Sequence, residues 1–136
     1  MAQRQDRAAD GFEMRIPAQV AELHGVRRAL VRWLDVQGAP PEVGAEVALA
    51  VHEAAANAVE HAYPRGAGEL MVRARHDDGR FVVVVEDEGD WRPPSRTDQR
   101  GRGLTLMHSF VDDVEIAPSG PGSGTRVTLR RRVGAG

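Results

Sequence analysis

The chain has 136 residues, a formal net charge of -2 at pH 7, 41% hydrophobic and 28% charged residues, the proportions of one ordinary folded domain with enough apolar material for a core between two layers. It has no Cys, and because all 18 of its basic residues are Arg it has no Lys, which excludes disulfides, thiolate metal sites, cysteine nucleophiles, Walker A loops and Schiff-base lysines. The slight acidity argues against direct nucleic-acid binding through phosphate contacts, and with no bilayer-length apolar run and a polar start, Met1–Asp10, the expected place is the cytoplasm, off the membrane.

Residues 1–10 read as a disordered tail and residues 11–136 as a single domain. Phe12-Glu-Met-Arg-Ile16 alternates apolar and polar residues as a strand does, and Pro17 ends it. From Ala18 to Gln37, Val20, Leu23, Val26, Leu30, Val31 and Leu34 recur at helical spacing and predict an amphipathic helix that closes at Gly38-Ala-Pro-Pro41. A second helix is expected from about Glu42 to Ala62, with Val43, Val47, Ala50 or Val51, Ala54 and Ala58 as its buried stripe. Its many small residues allow a close approach to whatever it packs on. Two strands follow, Glu69 to His76 and Arg80 to Asp87, joined by the hairpin signal Asp77-Asp-Gly79. Phe81-Val-Val-Val-Val85 is apolar on both faces and belongs in the middle of a sheet. Gly89 to Gly103 reads as a surface loop, Leu104 to Phe110 as a short helix, Val111 to Ala117 as a strand, Pro118 to Gly124 as a turn and Thr125 to about Val133 as the last strand. Early helices followed by hairpin-linked strands imply an α+β layer rather than a doubly wound parallel sheet.

Three constellations carry chemistry. Glu53 and Asn57 stand one helical turn apart and so share a face, and His61 extends the line. Asn57 is the one Asn of the chain and sits inside a helix, where Asn is disfavoured. Its carbonyl is a hard oxygen ligand suited to magnesium, and the carboxylate beside it can orient or deprotonate an attacking hydroxyl; a solvated polar stripe is the competing reading. Glu86-Asp87-Glu88-Gly89 leaves the apolar strand as either an acidic turn or an acceptor for an exocyclic amine such as that of adenine. Gly101-Arg102-Gly103-Leu104 precedes the short helix, where free N–H groups with Arg100 and Arg102 suit an anion. His52-Glu53 is not a zinc-protease motif, since Ala56 stands where its second His belongs. Trp33 reads as a core or interface residue, His24, His76 and His108 as surface or packing residues, and Arg130-Arg-Arg132 as an exposed strand end.

As an ordered set, Glu53-Ala-Ala-Ala-Asn57-Ala-Val-Glu-His61-Ala-Tyr63, Asp87-Glu-Gly89, Gly101-Arg-Gly103-Leu104 and Gly124-Thr125 resemble the ATP-binding fold shared by gyrase, Hsp90, histidine kinases and MutL. Within that superfamily the chain is similar to the anti-sigma-factor serine/threonine kinases, over nearly its whole length from Phe12 to Val133. The resemblance implies a two-layer α/β sandwich in which a mixed, mostly antiparallel sheet is covered by helices on one face. It implies ATP and Mg²⁺ as cofactors, Glu53 as catalytic base and Asn57 as the metal ligand. Asp87 would bind the adenine amine, Gly89 shape the base pocket, Gly101 and Gly103 contact phosphates, and Thr125 lie near the adenine, with His61, Arg100, Arg102 and Leu104 completing the nucleotide contacts. The pattern is broken at Trp91, where a second glycine is expected, implying a bulkier and stiffer lid. The implied reaction is phosphorylation of an anti-anti-sigma (STAS-domain) protein by a homodimer that also sequesters an RNA polymerase sigma factor. A non-catalytic binding module of the same fold is the alternative. The ATP-binding part of a histidine kinase fits less well, because no phosphoacceptor helix precedes the domain.

Overall fold

Four valines in a row after Phe81 decide where the sheet is centred. The computed structural model describes residues 11–61, 68–89, 101–120 and 123–133, with backbone alone at 61, 101–105, 120 and 123. In chain order the elements are β1 (Gly11–Pro17), α1 (Val20–Val36), α2 (Pro41–His61), β2 (Glu69–Asp77), β3 (Arg80–Asp87), α3 (Gly101–Phe110), β4 (Asp113–Gly120) and β5 (Ser123–Arg132). The strands form one sheet in the order β1-β2-β3-β5-β4, with β3 in the middle. All four described pairings are antiparallel, so the expected mixed sheet is wholly antiparallel here. β2–β3 and β4–β5 are hairpins, closed locally, while β1 reaches β2 through the two long helices and β3 meets β5 across α3 and β4.

Alternate residues of β3 face opposite sides. Phe81, Val83 and Val85 join Leu30, Leu34, Val47, Val51, Leu70, Val72 and Leu129 in the core under the helices. The other face is a lattice of ion pairs, in which Arg73 pairs with Glu13 and Glu86, Arg126 with Glu86, and Arg130 with Asp113 and Glu115. Val82 is buried even there, standing in register between Arg75 and Arg130; long arginine stems cover apolar surface while their heads stay in water. This face needs no further layer, which accounts for helices on one side alone.

Local signals close the elements. α1 stops in a Schellman motif: Ala39 N–H donates to the Leu34 carbonyl, Gly38 N–H donates to that of Asp35, and Gly38 adopts φ +94°. Pro41 opens α2, where a missing N–H costs nothing. The β2–β3 turn has positive φ at both Asp78 (52°) and Gly79 (80°), the type I′ geometry that matches strand twist.

Four sequence expectations change. Val20 and Val31 are exposed, so the buried stripe of α1 is Leu23, Val26, Leu30 and Leu34, a narrower arc. α3 begins at Gly101 rather than Leu104, because a helix start needs no apolar residue and the apolar pattern begins one turn in. β4 starts at Asp113 and reaches Gly120, and β5 begins at Ser123, so the Pro118–Gly124 turn is mostly ladder. Arg130–Arg132 is not a uniform exposed end: Arg131 points to the helix side, where it donates to Glu46 (2.6 Å) and to the Phe110 carbonyl (2.7 Å). Trp33 fulfils the packing expectation, its ring centroid 5.9 Å from both Phe12 and Phe81, and His76 stacks on Phe81 at 4.4 Å. Trp91 and residues 1–10 lie outside the described residues.

Leu30 has no exposed surface, so Leu30→Ala is expected to cost about 2–5 kcal/mol in urea unfolding. Val20→Ala, on the same helix but 71% exposed, is expected to stay within about 0.5 kcal/mol.

Candidate active site

Helix α2 sinks Val47, Ala50, Val51, Ala54 and Ala55 into the core, and Glu53 and Asn57 lie at the margin of that face, both half-buried. Their one-turn spacing puts the two side chains beside each other, as the sequence predicts. The Oδ1 atom of Asn57 is buried and accepts no hydrogen bond from any described group; Trp33 Nε1 and His52 Nδ1 are likewise buried without a described partner. Leaving a buried amide oxygen unsatisfied costs about 1–3 kcal/mol. An oxygen held in that state is chemically suited to a hard cation, which fits the Mg²⁺ that the resemblance implies. His52 adds a buried ring nitrogen next to Glu53 that sequence reasoning dismissed along with the zinc motif; no spacing signal could have found it.

Asp87 is the single charged residue buried among the described residues. It closes β3 on the helix-facing side, continuing the series Phe81, Val83, Val85. Its Oδ1 accepts the Gly89 N–H at 2.9 Å, and its carboxylate also accepts the backbone N–H of Thr125, the residue opposite it on β5. Burial pushes the Asp87 carboxyl above its ordinary 3.8; the two backbone hydrogen bonds pull the other way, and the negative charges of Glu86 and Glu88 add to the upward shift. The carboxylate is thus held in one place and kept out of water, as an acceptor that fixes the orientation of a ligand donor should be.

Antiparallel topology decides what lies near this turn. α2 starts by the β5 end, where Glu46 meets Arg131 opposite Phe81, and finishes by leading into β2, whose Leu70 pairs with Asp87. Asn57 therefore rides on the half of α2 that runs towards the Asp87 end of the sheet. α3 packs beside α2 and is tied down at its C-terminal end: Arg131 donates to Phe110 O, Asp112 N–H donates to Arg130 O, and Arg132 N–H donates to Asp112 Oδ2. Its other end is the turn holding Gly101, Arg102, Gly103 and Leu104, described as backbone. These residues form the first helical turn rather than a loop ahead of it, and a first turn has N–H groups without intrahelical partners. The structure brings Asp87, Gly89 and Thr125 into one hydrogen-bonded cluster and sets Glu53 with Asn57. His61 is described as backbone alone, and Arg100 lies outside the described residues.

Comparison with known proteins identifies the family of the fold. Residues 16–131 match the model of the histidine kinase-like ATPase domain. The chain is 32% identical to the serine-protein kinase RsbW of Bacillus subtilis, with 79% of this chain and 78% of the relative covered. It is also 32% identical to the anti-sigma F factor of Caldanaerobacter subterraneus, covering 66% of this chain and 71% of that one. Among solved structures, a Mycobacterium tuberculosis chain holding RsbU and RsbW domains superposes over 93% of this chain with a TM-score of 0.74 and 27% identity; this chain spans a third (33%) of its length. The Acinetobacter baumannii histidine kinase AdeS shares the fold, with a TM-score of 0.52 and 18% identity over 68% of this chain and 48% of that one. With matched residues running from the end of β1 to the end of β5, the chain belongs to the histidine kinase-like ATPase domain family.

Proposed function

We propose that this protein is an ATP-dependent serine/threonine kinase of the anti-sigma type, which phosphorylates an anti-anti-sigma STAS-domain partner and binds an RNA polymerase sigma factor. The observation that carries the nucleotide half of this reading is Asp87, a buried carboxylate fixed by two backbone N–H groups at the end of the central strand. The names of the relatives, serine-protein kinase and anti-sigma F factor, support the regulatory half. The same resemblance carries a homodimer.

In this reading Asp87 accepts the adenine amine, Gly89 leaves room for the base, and the first turn of α3 offers N–H groups to the phosphates. Asn57 would hold Mg²⁺, which when bound neutralises charge on the β- and γ-phosphates. Glu53 takes the proton from a Ser or Thr hydroxyl as its oxygen bonds to the γ-phosphorus. The bond from that phosphorus to the bridging oxygen breaks, and ADP leaves with the electron pair. Positioning supplies most of the acceleration in such a transfer.

Asp87 makes this function costly to the fold. Because its folded pKa is raised above 3.8, the native state holds the proton more tightly than the unfolded chain. The contribution of Asp87 to stability is full below 3.8 and is lost as pH climbs through the raised value. Asp87→Asn is expected to abolish that decline in urea titrations run at several pH values and to lose ATP binding. A variant that keeps wild-type ATP affinity would remove Asp87 from the base site.

Glu53→Ala is expected to bind ATP normally and to transfer phosphate at least ~100-fold more slowly, the size of a general-base contribution. Labelled ATP with Mg²⁺ and a STAS partner measures it, and near-normal phosphoserine formation excludes the base role. A stable complex with no transfer by the wild type would favour the non-catalytic module. Asn57→Ala should lose the Mg²⁺-dependent part of ATP affinity by calorimetry; unchanged Mg·ATP affinity rejects the metal role.

A further inference from the structure

We propose that Gly124 is a positioning residue of the base site, its missing side chain letting β5 close on the Asp87 turn so that the carboxylate is locked in place. The proposal rests on the ATP reading for what the turn binds, but its geometry stands without a ligand. Gly124 is buried, has φ +77°, and donates its N–H to the Gly89 carbonyl at 2.5 Å. A Cβ built there collides with the carbonyl oxygen of Asp87 and comes within 2.9 Å of Ser119 Cβ and 3.3 Å of Glu88 Cα. Two of these three neighbours are backbone atoms of the Asp87 turn itself, which cannot swing aside as a flexible side chain can.

Two other positive-φ glycines show that this is not ordinary turn chemistry. Gly38 and Gly79 have φ +94° and +80°, and an added Cβ at either meets nothing within 4 Å. They need glycine for conformation alone. Gly124 needs it for conformation and for space, and the space is set by the turn that holds the acid.

The consequence runs through the next residue. Thr125 supplies one of the two N–H groups on Asp87, and the Gly89 peptide that supplies the other is held by Gly124. A side chain at Gly124 pushes β5 off the turn and disturbs both donors at once, so the carboxylate loses its fixed direction. Substrate-orienting groups lose effect when displaced by about 1 Å.

Gly124→Ala, with Gly38→Ala as a control for φ strain without a collision, separates the effects. Amide hydrogen exchange on the ligand-free proteins should show the Thr125 N–H at least ~10-fold less protected in Gly124→Ala and unchanged in Gly38→Ala. Affinity for ATP is then compared with that for purine riboside triphosphate, which lacks the exocyclic amine. The wild type and Gly38→Ala should prefer ATP by about 10–100-fold, the worth of a hydrogen bond to a charged group, and Gly124→Ala should show no preference. A folded Gly124→Ala with a protected Thr125 amide, or with the preference intact, overturns the proposal. A wild type indifferent to the amine, with the exchange result as expected, refutes the ATP reading and leaves the positioning role standing. If Gly124→Ala does not fold, the wild type decides: ATP should slow exchange at Gly124 and Thr125, purine riboside triphosphate should not, and equal slowing rejects the proposal.

Discussion

A carboxylate taken out of water at the end of the central strand is the constraint around which this end of the molecule is organised. Burial alone drives an acid towards its neutral form, and Asp87 is returned part of the way by two peptide N–H groups, one from its own turn and one from β5. Both donors depend on the same close contact between strands, so β3, β5 and the turn after β3 behave as one unit. The ladder that places Thr125 opposite Asp87 is the one that places Val127 opposite Val85 in the core. Core packing and site geometry are therefore set by a single register, and a slip of one residue would put Asp87 on the charged outer face.

The helical layer follows the same economy of parts. α2 gives its apolar small residues to the sheet and keeps Glu53 and Asn57 at the margin, where Asn57 Oδ1 stays unsatisfied. α3 is anchored at one end by Arg131, which bridges Glu46 of α2 and the Phe110 carbonyl of α3, and its other end carries the glycine turn. An arginine, planar and always charged, suits a junction where the Glu46 carboxylate and the Phe110 carbonyl at the α3 C-terminus must be held together. The phosphate side of the proposed site thus hangs from a fixed pivot, while the adenine side is built into the sheet.

The absence of Lys shapes this chemistry. With no ammonium group available, anion binding falls to helix N–H groups, arginine and a metal. The outer face of the sheet spends arginines on ion pairs instead, each contributing little in water. That lattice keeps the second face of the sheet soluble without another layer, leaving one helical layer and hence one side on which a ligand pocket can form.

Local pattern was enough for much of this. The valine run announced the central strand, the Asp-Gly turn its hairpin, and helical spacing both long helices, because those signals depend on neighbours within a few residues. Glu53 with Asn57, and Asp87 with Gly89, were legible for the same reason. What needed the tertiary structure is every relation between distant segments: the Thr125 N–H on Asp87, the crowding at Gly124, the inward turn of Arg131 and the orphaned oxygen of Asn57. Strand alternation can say that Arg131 faces opposite to Arg130, and composition can mark Gly124 as a turn glycine. Neither can say what stands across from them, since burial and close approach are properties of pairs of segments that only the folded sheet brings together.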